Sequence, residues 1–143
     1  MIYLDTSFLA PLFREEVTSS KVTAFLARQS VGTLAVSKWA SVEFASLISR
    51  DARMGALTIA QGRKLIVEFD AMVADALLVL TPTANDFTLA QQYVANFSTK
   101  LRAPDALHLA VAHNSGAEFV ATLDEGMLFA AKKLKVAARR VIR

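Results

Sequence analysis

The chain has 143 residues, of which 54% are hydrophobic and 20% charged, with a formal net charge of +3. That length suits one domain spanning 1–143 with a real hydrophobic core, and the absence of cysteine excludes disulfides and thiolate metal sites and favours a reducing cytoplasm. No basic leader with an apolar stretch opens the chain, and its most apolar run, ALLVL, is too short to span a bilayer, so no membrane partner is expected.

The first predicted strand is Ile2 to Leu4. It is followed by Asp5, two hydroxyls at Thr6 and Ser7, and a short helical run to Phe13. A second apolar run lies near Leu34–Val36. The helical pattern SKWASVEFASLISRDARM then opens on Ser37, a candidate N-cap. The next, TIAQGRKLIVEFDAMVADA, opens on Thr58 and places Ile59, Leu65, Ile66, Phe69, Met72 and Val73 at helical spacing. A third strand is expected over Leu77–Leu80, ended by Thr81-Pro82. The helix TANDFTLAQQYVANF follows, and then PDALHLAVAHNSG, which carries proline in its first turn where the missing N–H costs nothing. Gly116 suits the end of that helix. A fourth strand is expected over Glu118–Thr122 and a weaker fifth around Arg140–Ile142. Strands alternating with helices imply βαβ units, a mainly parallel sheet and helices on both faces. The tail KKLKVAARRVIR has six positive charges and no negative ones. It suits an anionic partner, although a solvated helix face explains it as well.

Four acids sit where a hydrophobic chain has least use for them. Asp5 follows the first strand. Glu43 interrupts WASVEFASLI, where an unpaired buried carboxylate would be costly. Asp105 occupies a first helical turn, and Asp124 repeats the strand-to-helix placement of Asp5. Each has a local explanation. Asp5 and Asp124 could cap helices, Asp105 could complement a helix dipole, and Glu43 could face solvent. A single site accounts for all four, because in open α/β sheets ligands bind beyond the C-terminal ends of the strands. Glu43 would reach that edge by leaning toward its helix N-terminus. Two such charges 4 Å apart repel by ~4 kcal/mol at an effective dielectric of 20. Either some carboxylates hold protons, or a divalent cation lies among them. With oxygen ligands and no thiolate, a hard ion is indicated, Mg²⁺ or Mn²⁺.

The ordered set YLDTS, a helical Glu, RAPDALHLAVA and FVATLDEGM resembles the PIN-domain ribonucleases, and among them the VapC-type toxins of toxin–antitoxin pairs. The resemblance covers essentially the whole chain. It implies a three-layer α/β/α sandwich on a mainly parallel five-stranded sheet. It also implies Asp5, Glu43, Asp105 and Asp124 as the catalytic, metal-holding acids for Mg²⁺ or Mn²⁺, with Ser7 and Thr122 orienting them. An RNA substrate, a homodimer and a cognate antitoxin follow from the same resemblance, with DNA met only through the antitoxin. Glu125 is a possible further acid. Lys100 and Arg102 could meet phosphate or lie in an exposed loop.

Other residues admit plainer readings. His108 lies one turn after Asp105, and a packed, hydrogen-bonded histidine accounts for it more simply than a metal ligand or general base. His113 suits a helix C-terminus. Trp39, Phe44, Leu47 and Ile48 fit core or dimer contacts better than a nucleobase platform. HExxH, CxxC, P-loop and GxSxG patterns are absent. Receiver-like and dehalogenase-like alternatives want a second acid beside the first strand, and position 7 is Ser. The remaining alternative is a catalytically inactive PIN-fold module that binds RNA or protein.

Overall fold

Tyr3 and Leu4 point to opposite sides of the first strand, β1 (Ile2–Leu4), and both side chains are fully buried. A strand buried on both faces belongs in the middle of a sheet covered by helices. A computed structural model describes residues 1–143 and places β1 at that centre. The other strands are β2 (Leu34–Ser37), β3 (Leu78–Leu80), β4 (Phe119–Ala121) and β5 (Ala138–Arg139). They line up in the order β3-β2-β1-β4-β5, and every neighbouring pair is parallel. The α/β/α sandwich on a five-stranded sheet, expected from the resemblance, is thus observed.

Seven helices connect the strands: α1 (Thr6–Leu9), α2 (Ser19–Ala27), α3 (Trp39–Arg53), α4 (Ile59–Ala76), α5 (Ala84–Ala95), α6 (Ala103–Asn114) and α7 (Glu125–Leu134). A single 3₁₀ turn over Ala10–Leu12, with Pro11 inside it, continues α1. Thr58 caps α4 in a reciprocal capping box with Gln61, as its position predicts.

The register explains the two cores. Tyr3 pairs with Val120, and both face α5, α6 and α7. Leu4, Val36, Phe119 and Ala121 face the other way, onto α1, α2, α3 and α4. On that side Phe44 of α3 stacks on Phe69 of α4 at 4.1 Å, and Phe13 meets both rings edge-on. Phe44 and Ile48 are therefore core residues, whereas Trp39 and Leu47 are only partly covered.

Two sequence expectations need correction, and one helix has no clear sequence signal. Ser37 is not the N-cap of α3: it ends β2, and Lys38 takes the cap position without a side-chain bond. The Ser37 hydroxyl still accepts the Trp39 N–H at 3.0 Å, so it serves the helix from one residue earlier. The last strand is Ala138–Arg139 rather than Arg140–Ile142, because Val141 and Ile142 turn down into the core after the chain leaves the edge. Helix α2 carries little sequence signal, since Val22 is its only fully buried side chain and its apolar pattern is correspondingly weak. No helix is long and apolar enough to cross a membrane.

Candidate active site

All the strands run the same way, so their C-terminal ends form one edge, and several helices begin there. Asp5 is the first residue past β1 on that edge. Its carboxylate caps α1, accepting the Phe8 N–H at 3.0 Å. A cap needs no burial, yet Asp5 is only 2% exposed. The burial is made tolerable by hydroxyls. Ser7 donates to Oδ1 and Oδ2 at 2.9 and 3.0 Å, and Thr122, at the end of the adjoining strand β4, donates to Oδ2 at 2.7 Å. Burial nevertheless pushes the Asp5 carboxyl up to about 6, against the pull of His108 and these hydrogen bonds.

Ser7 and Thr122 also tie the two strand ends together. Ser7 Oγ accepts the Leu123 N–H at 3.0 Å, and Thr122 Oγ1 accepts the Asp124 N–H at 3.1 Å. Asp124 then repeats the geometry of Asp5: it caps α7, with Oδ1 accepting the Met127 N–H at 2.8 Å. Gly126 leaves room beside it, since a Cβ there would lie 3.1 Å from Asp124 Oδ1 and crowd the carboxylate. Glu125 points away and pairs with Arg140 at 3.0 Å on the surface, so it does not join the group.

Glu43 is the fifth residue of α3, just over one turn in, and so reaches back toward the edge with little lean. Its Oε1 accepts from Thr6 Oγ1 at 2.7 Å and from His108 Nε2. Burial would raise this carboxyl, but His108, Thr6 and the positive charge of Arg102 together hold it below the usual carboxylate range. Asp105 is the third residue of α6, following Pro104 as predicted. Burial lifts its carboxyl above the ordinary value, and the charges of Asp124 and Glu43 add to this against Arg102.

Arg102 is placed more closely than its sequence context suggested. Its guanidinium bonds Asp105 Oδ2 through Nε and Nη2, both at 3.2 Å, and Nη2 lies 3.5 Å from Asp124 Oδ2. It is a resident cation between two of the four acids. Lys100 is exposed and holds a left-handed backbone, φ 55°, where the chain turns toward α6. His108 is buried and fully hydrogen-bonded, in line with the simpler sequence reading, but one of its partners is Glu43. Nδ1 meets Tyr3, whose polar role is hidden in the sequence because its place in an apolar strand reads as core, and Thr6 Oγ1 lies 3.3 Å from Nε2. The Thr6 hydroxyl, beside the cap, holds Glu43.

The donor set is oxygen only, which suits a hard divalent ion. Glu43 Oε2 and Asp105 Oδ1 take no hydrogen bond, and Asp124 Oδ2 has only the 3.5 Å contact with Arg102. No three acidic or histidine side chains are close enough to enclose an ion as they stand. Closing that gap calls for Arg102 to withdraw from Asp105 and Asp124, the two acids it bridges. An open cleft of about 430 Å³, lined by Thr6, Ser7, Arg14, Glu43 and Asp124, leads to the same place.

The fold is shared with several solved toxin structures. A Mycobacterium tuberculosis VapC20 structure, described as a sarcin–ricin loop cleaving toxin, is 20% identical, with a TM-score of 0.75 over 91% of this chain and 95% of that one. FitAcB from Neisseria gonorrhoeae is 21% identical, with a TM-score of 0.65 over 96% of each chain. VapBC2 from Rickettsia felis, bound to a DNA fragment from its promoter, is 15% identical, with a TM-score of 0.65 over 97% and 98%. No curated protein matches the sequence significantly. The model of the PIN domain matches residues 2–133, and with that match spanning nearly the whole length, the chain belongs to the PIN-domain family.

Proposed function

We propose that the chain is a divalent-metal-dependent ribonuclease of the VapC toxin type, with 1–143 acting as one PIN-like domain. The observation that carries this reading is the buried Asp5. A carboxylate held by three separate donors, at the strand-end edge where three other acids also lie, is costly to the fold, and its capping of α1 does not call for that burial.

Asp5, Glu43, Asp105 and Asp124 would hold Mg²⁺ or Mn²⁺, which when bound supplies an activated water and charge stabilisation for in-line displacement at phosphorus. Ser7 and Thr122 keep Asp5 in one orientation. The cleft past Thr6 and Ser7 admits the RNA backbone. Arg102, once released from Asp105 and Asp124, is placed to meet a phosphate oxygen. Hydrolysis there would join the water oxygen to phosphorus as the P–O3′ bond breaks, with one proton lost from the water and one gained by O3′, giving a 5′-phosphate and a 3′-hydroxyl.

The reading includes partners. The solved VapBC and FitAB structures with this fold support an antitoxin as the binding partner, and the same reading takes the toxin as a cytoplasmic homodimer that meets DNA through the antitoxin. The test is cleavage of a structured RNA in Mg²⁺ with and without EDTA, with both new termini mapped. EDTA and Asp124→Asn should each abolish cleavage, and induced expression should arrest growth unless the antitoxin is co-expressed. A 2′,3′-cyclic phosphate product, or cleavage that survives EDTA, would sink the metal mechanism.

A further inference from the structure

His108 is a polar ring in a helix that is otherwise apolar from Ala106 to Ala112, and it is 1% exposed. Both ring nitrogens are used. Nε2 meets Glu43 Oε1, and Nδ1 lies 2.6 Å from the Tyr3 hydroxyl. An ionised carboxylate only accepts, so Nε2 carries the proton toward Glu43. In the neutral imidazole Nδ1 is then the acceptor, and Tyr3 donates to it. Tyr3 is itself fully buried in the central strand, with its ring edge-on to His108 at 5.7 Å. The chain Tyr3–His108–Glu43 therefore joins β1, α6 and α3. Thr6 adds a second donor to the same carboxylate oxygen, at 2.7 Å. Both donors converge on Oε1, and Oε2 takes none. Left alone, a glutamate on a helix samples many rotamers; here two fixed donors select one.

We propose that His108, backed by Tyr3, is a positioning residue that locks Oε1 of Glu43 so that Oε2 is presented to the ion. The inference rests on the ribonuclease reading above and adds to it the part that a buried histidine plays. Partners behind a metal-holding group set its orientation, and losing one typically weakens metal binding by about 10- to 100-fold.

The test uses Mn²⁺ binding to the intact protein by titration calorimetry, beside single-turnover RNA cleavage, in wild type, His108→Ala, His108→Gln, Tyr3→Phe, Glu43→Gln and the double variant His108→Ala/Glu43→Gln. His108→Ala should weaken Mn²⁺ binding by roughly tenfold or more. It should lower kcat by a similar factor while KM for RNA stays level. His108→Gln places an amide N–H near the position of Nε2 and should restore most of both. In the Glu43→Gln background, removing His108 should cost nothing further, because its effect passes through Glu43. Should His108→Ala fail to fold by circular dichroism, His108→Gln and Tyr3→Phe decide. Near-wild-type values for His108→Gln with a several-fold loss for Tyr3→Phe support the proposal, and equal losses in both overturn it. Wild-type metal affinity in folded His108→Ala, or a loss fully additive with Glu43→Gln, would overturn the proposal and leave the ribonuclease reading standing. Absence of Mn²⁺ binding and cleavage in wild type would overturn both.

Discussion

Replacing Asp5 by Asn should make the metal-free protein more stable at neutral pH while removing its activity. Burial raises the Asp5 carboxyl from 3.8 to about 6. The folded state therefore holds this proton more tightly than the unfolded state does. Below about pH 4 both states are protonated and the group contributes nothing unfavourable. Between the two values the folded state alone keeps the proton, and stability falls as pH rises. Above about pH 7 the full cost of the buried charge is present, about 2 units at ~1.4 kcal/mol each, or ~3 kcal/mol. Asparagine removes this cost and keeps the local structure. Its carbonyl can accept the Phe8 N–H, as good N-caps do, and the Ser7 and Thr122 hydroxyls can turn to accept from its amide.

The measurement is thermal unfolding of both proteins in EDTA from pH 4 to 8, read as the difference in Tm. Asp105 and Glu43 titrate in both proteins, so the difference isolates Asp5. The variant should gain on the order of 10 °C over this range, nearly all of it between pH 4 and 7. Any hydrogen bond the amide makes badly adds a constant offset and leaves the pH dependence intact. Adding Mg²⁺ at pH 7.5 should stabilise wild type and leave the variant unmoved. A difference curve flat in pH would refute the claim that Asp5 is a costly buried carboxylate, and with it the observation on which the functional reading leans.

Phe69→Ala removes a fully buried ring stacked on Phe44 and met edge-on by Phe13 and should destabilise by ~3–5 kcal/mol in urea unfolding, with an unchanged cleavage site in RNA. Thr58→Ala breaks the capping box of α4 and should cost ~1 kcal/mol by the same assay. Arg102→Ala removes the cation held between Asp105 and Asp124; RNA binding should weaken and the salt dependence of log K should lose about one phosphate contact, while Mn²⁺ affinity, free of its internal competitor, should hold or rise.

The parts of this molecule that were legible in the sequence are those where one residue had to satisfy a local rule. Thr58 with Gln61, Pro104 before Asp105, and the apolar triplets at Ile2, Leu34 and Phe119 each announced their element, because caps, first turns and doubly buried strands leave little choice. The order of the four acids was legible for the same reason: each follows a strand or sits in the first two turns of a helix. What depended on tertiary packing was hidden. Helix α2 buries only Val22 completely and leaves almost no periodic trace. The last strand was displaced because Val141 and Ile142, apolar enough for a strand, are taken by the core instead.

The polar contacts between distant elements were hidden most completely. Tyr3 and His108 are 105 positions apart and each reads as an ordinary core residue, yet together they hold Glu43. Arg102 reads as a loop residue, yet it spans two acids. The helix-capping and site readings of Asp5 and Asp124 also proved compatible. The backbone turn that makes each a cap is the turn that brings its carboxylate to the sheet edge. A cap alone, however, is usually solvated, and Asp5 is not. The distinction therefore lies in burial: an exposed cap contributes to the helix at little cost, whereas a buried one with a raised pKa costs the fold more than the cap returns. Such a residue points to function when its removal stabilises the protein, which is why the sign of the Asp5→Asn difference above pH 7, rather than the loss of activity, discriminates between the two readings.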